Sequence, residues 1–126
     1  MQDFLDFYTF GGFFNHIVTL FALAGVAMVV QHSAGARQAA GDPRLLAFVD
    51  RLALLGVAAG LLGVVFNNIE LGNALATVDA EFQLQASHRG AAIVPIPLAW
   101  ALMTAIPLWV TTAVLRQRLP ISAPAR

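Results

Sequence analysis

Three apolar stretches, each about as long as a membrane-spanning helix, constrain this chain more than any other feature of its sequence. They cover about residues 13–30, 52–71 and 91–115. A helix needs about 20 mostly apolar residues to cross the hydrocarbon core of a bilayer. Hydrophobic residues make up 59% of the 126 residues and charged residues only 11%, against about 25% charged in an average soluble domain. The sequence predicts an all-α integral membrane protein, with three transmembrane helices in one domain over residues 1–126.

The basic residues are distributed unevenly around these stretches. All seven are arginines, and six of them follow the first stretch or the third: Arg37, Arg44, Arg51, Arg116, Arg118 and Arg126. Basic residues near the ends of spans favour the cytoplasmic side. We therefore expect a multi-pass protein of the bacterial cytoplasmic (inner) membrane, with its N-terminus outside and its C-terminus in the cytoplasm. The first ten residues contain no basic residue, so the first stretch is predicted to remain as an anchor rather than act as a cleaved signal.

Signals for helix ends refine the loops between the stretches. Asp42 is a plausible N-cap and Pro43 suits the first helical position, so a helix is predicted to begin there and to continue into the second span. Beyond that span, apolar residues keep a helical spacing, which predicts an amphipathic extension over residues 72–88 that ends near Gly90. The tail over about 119–126 is predicted to be disordered.

One face of the second span carries a regular stripe of small and polar residues. Spacings of three and four residues place its members on one side of a helix: Gly56, Gly60, Gly63, Asn67, Glu70 and Ala74. Small residues at this spacing let helices in lipid approach closely, so Gly56, Gly60 and Gly63 are predicted to be helix-packing residues. Asn67 and Glu70 have two interpretations. They form a polar ring along an ion pathway, or the span ends at Asn67 and Glu70 lies in headgroup water.

Several segments together resemble the MotA/TolQ/ExbB proton-channel family, in the form of a short member without a large cytoplasmic domain. The resemblance covers most of the chain. It rests on a Gly-Gly entry to the first span in DFYTFGGFFNHIV, on AAGLLGVVFNNIELGNAL in the second span and on LAWALMTAIPLWVTTAVL in the third. Val64 stands where the family's second-span motif has a threonine, and the glycine-leucine segment of the third-span motif is missing.

The resemblance implies a homo-oligomer, expected to be a pentamer, whose second and third helices line a central space. That space would hold a single-span membrane protein that carries an intramembrane Asp. Thr104 matches the position of a pore-facing threonine in the family, so the expected ion-pathway residues are Asn67, Glu70 and Thr104. Thr104 has an alternative role, in which its hydroxyl bonds back to the Trp100 carbonyl within its own helix.

Three functions follow from these observations. The first is a proton-channel or motor-stator subunit of the family above. The second is a non-conducting structural or accessory subunit of a larger membrane complex, and the third is a small cation channel acting alone. The sequence contains no catalytic motif, so we expect no enzyme activity and no cofactor. It has no basic patch for nucleic acid. His16, His32 and His88 lie in separate segments without the spacing of metal ligands, so no metal site is expected.

Overall fold

The structure is a computed structural model that describes residues 1–35 and 43–119. These residues form five α-helices: α1 (Gln2–Phe10), α2 (Gly12–Gly35), α3 (Pro43–Leu75), α4 (Gln83–Ile93) and α5 (Ile96–Gln117). Asp42, the predicted N-cap of α3, and residues 120–126 of the predicted disordered tail lie outside the described residues.

Three segments are long and apolar enough to cross a membrane: Gly12–Gly35, which is α2, Pro43–Leu75, which is α3, and Gln83–Gln117, which covers α4 and α5. This confirms the prediction of three helices that are long and apolar enough to span a membrane. α2, α3 and α5 pack against one another as a three-helix bundle. A buried cluster of aliphatic side chains joins α3 to α5 near one end of the bundle: Val49, Ala53, Ala105 and Leu108. We call that end, where α2 and α5 finish and α3 begins, the arginine end.

The glycine stripe of α3 lies in the interior of the bundle. Gly56, Gly60 and Gly63 are all buried. A Cβ atom added to Gly60 would lie 2.6 Å from the Ala101 Cβ and 2.8 Å from the Pro97 carbonyl oxygen, and one added to Gly63 would lie 2.7 Å from the Pro97 Cβ. α5 therefore approaches the backbone of α3 so closely that no side chain fits between them. The glycines pack inside one chain.

The connection between α3 and α5 differs from the prediction. α3 ends at Leu75, and residues 76–82 form turns before α4 begins at Gln83. The predicted continuous extension over residues 72–88 is therefore wrong at these turns. The Gln83 side-chain amide donates to the Val78 carbonyl oxygen at 3.1 Å, which satisfies one carbonyl of the turn. α4 continues through Gly90 to Ile93, so the predicted helix end near Gly90 is also wrong.

The Gly-Gly pair separates α1 from α2. Gly12 has a φ of +59°, a left-handed conformation that residues with a Cβ rarely adopt. This turn lets the short α1 fold back toward the start of α5, where the Phe4 ring contacts the Trp100 ring. The sequence did not predict α1 as a helix.

Candidate functional site

At the end of the bundle opposite the arginine end, aromatic and polar side chains join α1, α2 and α5. The Tyr8 ring packs edge-on against the rings of His16 and Trp100. The Trp100 indole N–H donates to the Thr19 hydroxyl at 3.0 Å, and the Thr19 hydroxyl donates to the Asn15 carbonyl at 2.7 Å. These contacts fix the position of α1 on the two longer helices.

The Tyr8 hydroxyl lies at the centre of this network. It is 2.8 Å from His16 Nδ1 and 3.2 Å from the Thr19 hydroxyl oxygen. Since Thr19 already donates its one proton to a backbone carbonyl, Tyr8 must donate to Thr19 if that contact is a hydrogen bond. His16 Nδ1–H must then donate to the Tyr8 oxygen. Whichever atom donates, the Tyr8 hydroxyl of α1 contacts His16 and Thr19 of α2, so the geometry of the network supports a structural role in positioning α1.

Asn15 is the most deeply buried polar residue of this region. It has no exposed surface, and its side-chain amide donates to the Tyr8 carbonyl oxygen at 2.9 Å. Its Oδ1 atom has no hydrogen-bond donor within reach among the described residues. A Cβ at Gly11 would overlap this amide, so the first glycine of the Gly-Gly pair leaves room for Asn15.

Asn67 and Glu70, two of the three predicted ion-pathway residues, line one groove. The groove has a volume of about 250 Å³ and lies between the last turns of α3 and the end of α4, with Phe10 at its edge. Asn67 is half-buried, and its Nδ2 atom has no hydrogen-bond acceptor among the described residues. Glu70 is exposed. The stripe that is buried at the glycines therefore turns outward at its far end.

Thr104, the third predicted ion-pathway residue, lies elsewhere. It lines a different groove, of about 350 Å³, between α2 and α5. Its hydroxyl is 2.9 Å from the Ala101 carbonyl oxygen and 3.2 Å from the Trp100 carbonyl oxygen, so its proton is used within its own helix. Within one chain, the fold does not bring Thr104 into the groove of Asn67 and Glu70.

The sequence analysis missed a polar cluster near the arginine end. The Thr112 hydroxyl, which is almost fully buried, lies 2.8 Å from one carboxylate oxygen of Asp50 and 2.9 Å from the Trp109 carbonyl oxygen, so these two acceptors share its single proton. The Arg116 guanidinium forms a salt bridge with the other oxygen of the same carboxylate. Asp50 thus connects α3 to two successive turns of α5. Two features of the sequence could have indicated this cluster. Asp50 is an acidic residue in an arginine-rich segment, and Thr112 and Arg116 are four residues apart and therefore lie on one face of a helix.

The outward faces of α3 and α5 are entirely apolar in the middle of the bundle. The exposed residues of α3 between positions 54 and 66 are Leu54, Leu55, Ala58, Leu61, Leu62, Val65 and Phe66. The exposed residues of α5 between positions 102 and 114 are Leu102, Met103, Ile106, Pro107, Val110, Ala113 and Val114. These surfaces suit acyl chains or the apolar surface of another membrane helix, and they offer no side chain that could bind an ion.

Over residues 1–35 and 43–119, no group of three or more His, Cys, Asp or Glu side chains is close enough to hold a metal ion. Scans of the sequence against protein-family models and curated proteins, and of the fold against solved structures, found no match.

Proposed function

We propose that this protein is a non-conducting structural or accessory subunit of a larger complex in the bacterial inner membrane. The observation that carries the proposal is the apolar character of the outward faces of α3 and α5 at mid-bundle. A pathway for ions through a membrane requires backbone carbonyls, polar side chains or water along its length. If several copies surrounded a central space with these two faces, that space would be lined by Leu, Ile, Val and Met, which exclude water.

The position of the glycine stripe supports the same proposal. Gly60 and Gly63 are in contact with α5 of the same chain and are covered by it. They are therefore not available to line a passage or to contact a partner helix. Assembly with other subunits would use the exposed aliphatic faces, and α3 and α5 would act as a rigid pair.

A stator-type proton channel, as the family resemblance implies, is the second candidate. It is favoured by the groove that Asn67 and Glu70 share, since an amide with an unused donor and a carboxylate lie together at its wall. In this alternative the protein forms a homo-oligomer, expected to be a pentamer. The oligomer would place these grooves around a single-span partner that carries an intramembrane Asp. If the protein were instead a small cation channel acting alone, cations would enter through the same groove, beside Asn67 and Glu70.

Proton flux into proteoliposomes tests the proposal. Vesicles that contain the purified protein and a pH-sensitive dye are given a potassium diffusion potential with valinomycin. The proposal predicts a rate of acidification equal to that of protein-free vesicles. The variants Glu70→Gln and Thr104→Val are compared with Glu81→Gln, which removes an exposed carboxylate from the turns after α3. A flux that depends on the protein and falls in Glu70→Gln but not in Glu81→Gln would establish a channel and overturn the proposal.

The mass of the detergent-solubilised complex tests the assembly part of the proposal. The chain has a mass of 13.4 kDa, so light scattering with correction for bound detergent gives the number of copies directly. A larger complex is expected. A monomer in both mild detergent and lipid nanodiscs, without a co-purifying partner, would contradict a role as a subunit.

A further inference from the structure

Two neighbouring depressions follow the seam between α2 and α5. The first is the 350 Å³ groove that contains Thr104, which we call the α2/α5 furrow; its walls include Ala22, Val26, Val30, Pro107 and Thr111. The second, of about 230 Å³, lies at the arginine end and is lined by His32, Ser33, Leu115, Arg118 and Leu119. We call it the arginine-end groove. The second depression begins two residues after the first along α2, at His32, and four residues after it along α5, at Leu115.

The arginine-end groove has an apolar floor and a cationic rim. Arg118 and Ser33 are exposed, whereas Leu115 and Leu119 are half-buried. Among the described residues, Arg118 has no carboxylate within salt-bridge distance. The salt bridge of this region is made by a different arginine, Arg116, with Asp50. A guanidinium presents several N–H donors in a plane that matches the oxygens of a phosphate. The rim is therefore suited to a phosphate group.

The α2/α5 furrow is almost entirely apolar. Val26 and Val30 are exposed by at least half of their surface, and the two threonines of the furrow, Thr104 and Thr111, bond to carbonyls of their own helix. From Ala22 to Val30 the furrow extends about 12 Å along α2 at 1.5 Å per residue. That length accommodates roughly half of a long acyl chain.

We propose that the two depressions together form a binding site for one anionic phospholipid. The headgroup phosphate is held by the Arg118 guanidinium and the Ser33 hydroxyl, and one acyl chain lies in the α2/α5 furrow. The helix ends themselves do not attract the anion, because α2 and α5 both present their C-termini, which carry partial negative charge, to the groove. The guanidinium is therefore the group that holds the phosphate.

The adjacency of the two depressions along α2 and α5 favours a lipid over another occupant. A free phosphate ion would use the rim but leave the furrow empty. The transmembrane helix of a partner protein would cover the furrow but would not require a cation at its end. A basic pocket between membrane helices, next to an apolar furrow, complements the charge and the shape of an acidic lipid.

Native mass spectrometry of the detergent-solubilised protein tests the site by titration with palmitoyl-oleoyl phosphatidylglycerol or with the corresponding phosphatidylcholine. We expect phosphatidylglycerol to bind at least about tenfold more tightly, which corresponds to about 1.4 kcal/mol. Arg118→Gln should abolish this preference. Arg51→Gln is the matched control, because it removes an exposed arginine of α3 from the same end of the bundle without changing the groove. Equal retention of the two lipids, or an equal loss in both variants, would overturn the proposal.

A second pair of measurements tests the furrow. Val30→Trp adds a bulky side chain at a position that is 62% exposed, so the bundle can accommodate it while the furrow becomes narrower. We expect this variant to weaken the binding of the long-chain phosphatidylglycerol by several-fold. Glycerol phosphate, which has the headgroup but no acyl chain, should not compete. Competition by glycerol phosphate, an unchanged affinity in Val30→Trp, or a photo-reactive group at residue 30 that cross-links to protein instead of lipid would contradict the lipid site.

Discussion

The close contact between α3 and α5 predicts that Gly60→Ala destabilises the bundle whereas Gly56→Ala does not. A Cβ at Gly60 would lie 2.6 Å from a side-chain carbon of Ala101 and 2.8 Å from the backbone oxygen of Pro97, so the helices must separate to admit it. A Cβ at Gly56 would have its nearest neighbour, the Phe21 Cβ, at 4.0 Å, which is an ordinary van der Waals contact. The two substitutions are chemically identical and lie one turn apart on the same buried face.

The expected magnitude follows from two opposing effects. Overpacking of a closely packed interior costs about 1–3 kcal/mol. Replacing glycine by alanine within a helix stabilises the helix by up to about 1 kcal/mol. The helix effect is common to Gly56→Ala and Gly60→Ala, so it cancels when the two variants are compared. The free energy of unfolding of Gly60→Ala should therefore be about 1–3 kcal/mol below that of Gly56→Ala.

Unfolding in mixed micelles measures this difference. The protein is titrated with sodium dodecyl sulfate in a mild detergent, and the fluorescence of the two tryptophans of α5 reports the separation of the helices. Equal midpoints and slopes for Gly56→Ala and Gly60→Ala would refute the close approach of α5 to α3 at Gly60. Circular dichroism in the mild detergent verifies that both variants are helical before the titration begins.

Two further pairs of variants are measured by the same titration. Thr112→Val removes the donor to the Asp50 carboxylate and should lower the free energy of unfolding by about 1.5–3 kcal/mol, the usual contribution of a hydrogen bond to a charged group. Thr111→Val, whose hydroxyl bonds only within α5, should have an effect below about 0.5 kcal/mol, and equal effects would contradict the Asp50 cluster. Trp100→Phe keeps an aromatic ring against α1 but loses the indole N–H, and should cost about 0.5–1.5 kcal/mol. Its control is Trp109→Phe. Because each of these two variants lacks one tryptophan, their unfolding is followed by circular dichroism at 222 nm instead of fluorescence. A larger loss of unfolding free energy in Trp109→Phe than in Trp100→Phe would contradict the role of the indole N–H.

The sequence predicted the three long apolar helices because length and hydrophobicity determine that property locally. It also predicted which residues share a face of α3, since a helix has a fixed period. It did not predict the turns at residues 76–82. Leu71, Leu75, Val78 and Phe82 continue the spacing of a helix, but Thr77, Val78 and Asp79 have low helix propensity. The Gln83 side chain stabilises the turn through a contact eight residues back along the chain, to Leu75, and another to Val78.

The polar residues of the candidate sites show a different limit. The spacing of Asn67 and Glu70 predicted that they share one face of α3. Spacing alone does not show at which turns other helices cover that face. The structure covers the face at Gly63 and leaves it open at Glu70. Asp50 was missed because the predicted second span began at Leu52, which left the carboxylate among the loop residues. Its partners lie more than 60 positions away on α5, and no local pattern identifies them.

Solid-state NMR of the protein in lipid bilayers tests most directly whether the glycine face of α3 is covered within one chain. Carbon-carbon correlations between Gly60 and Ala101 are recorded with fully labelled protein and again after dilution with an excess of unlabelled chains. The account predicts that the correlation, normalised to the amount of labelled protein, is the same in both samples. A correlation that disappears on dilution would show that the glycines contact a neighbouring copy, and would contradict it.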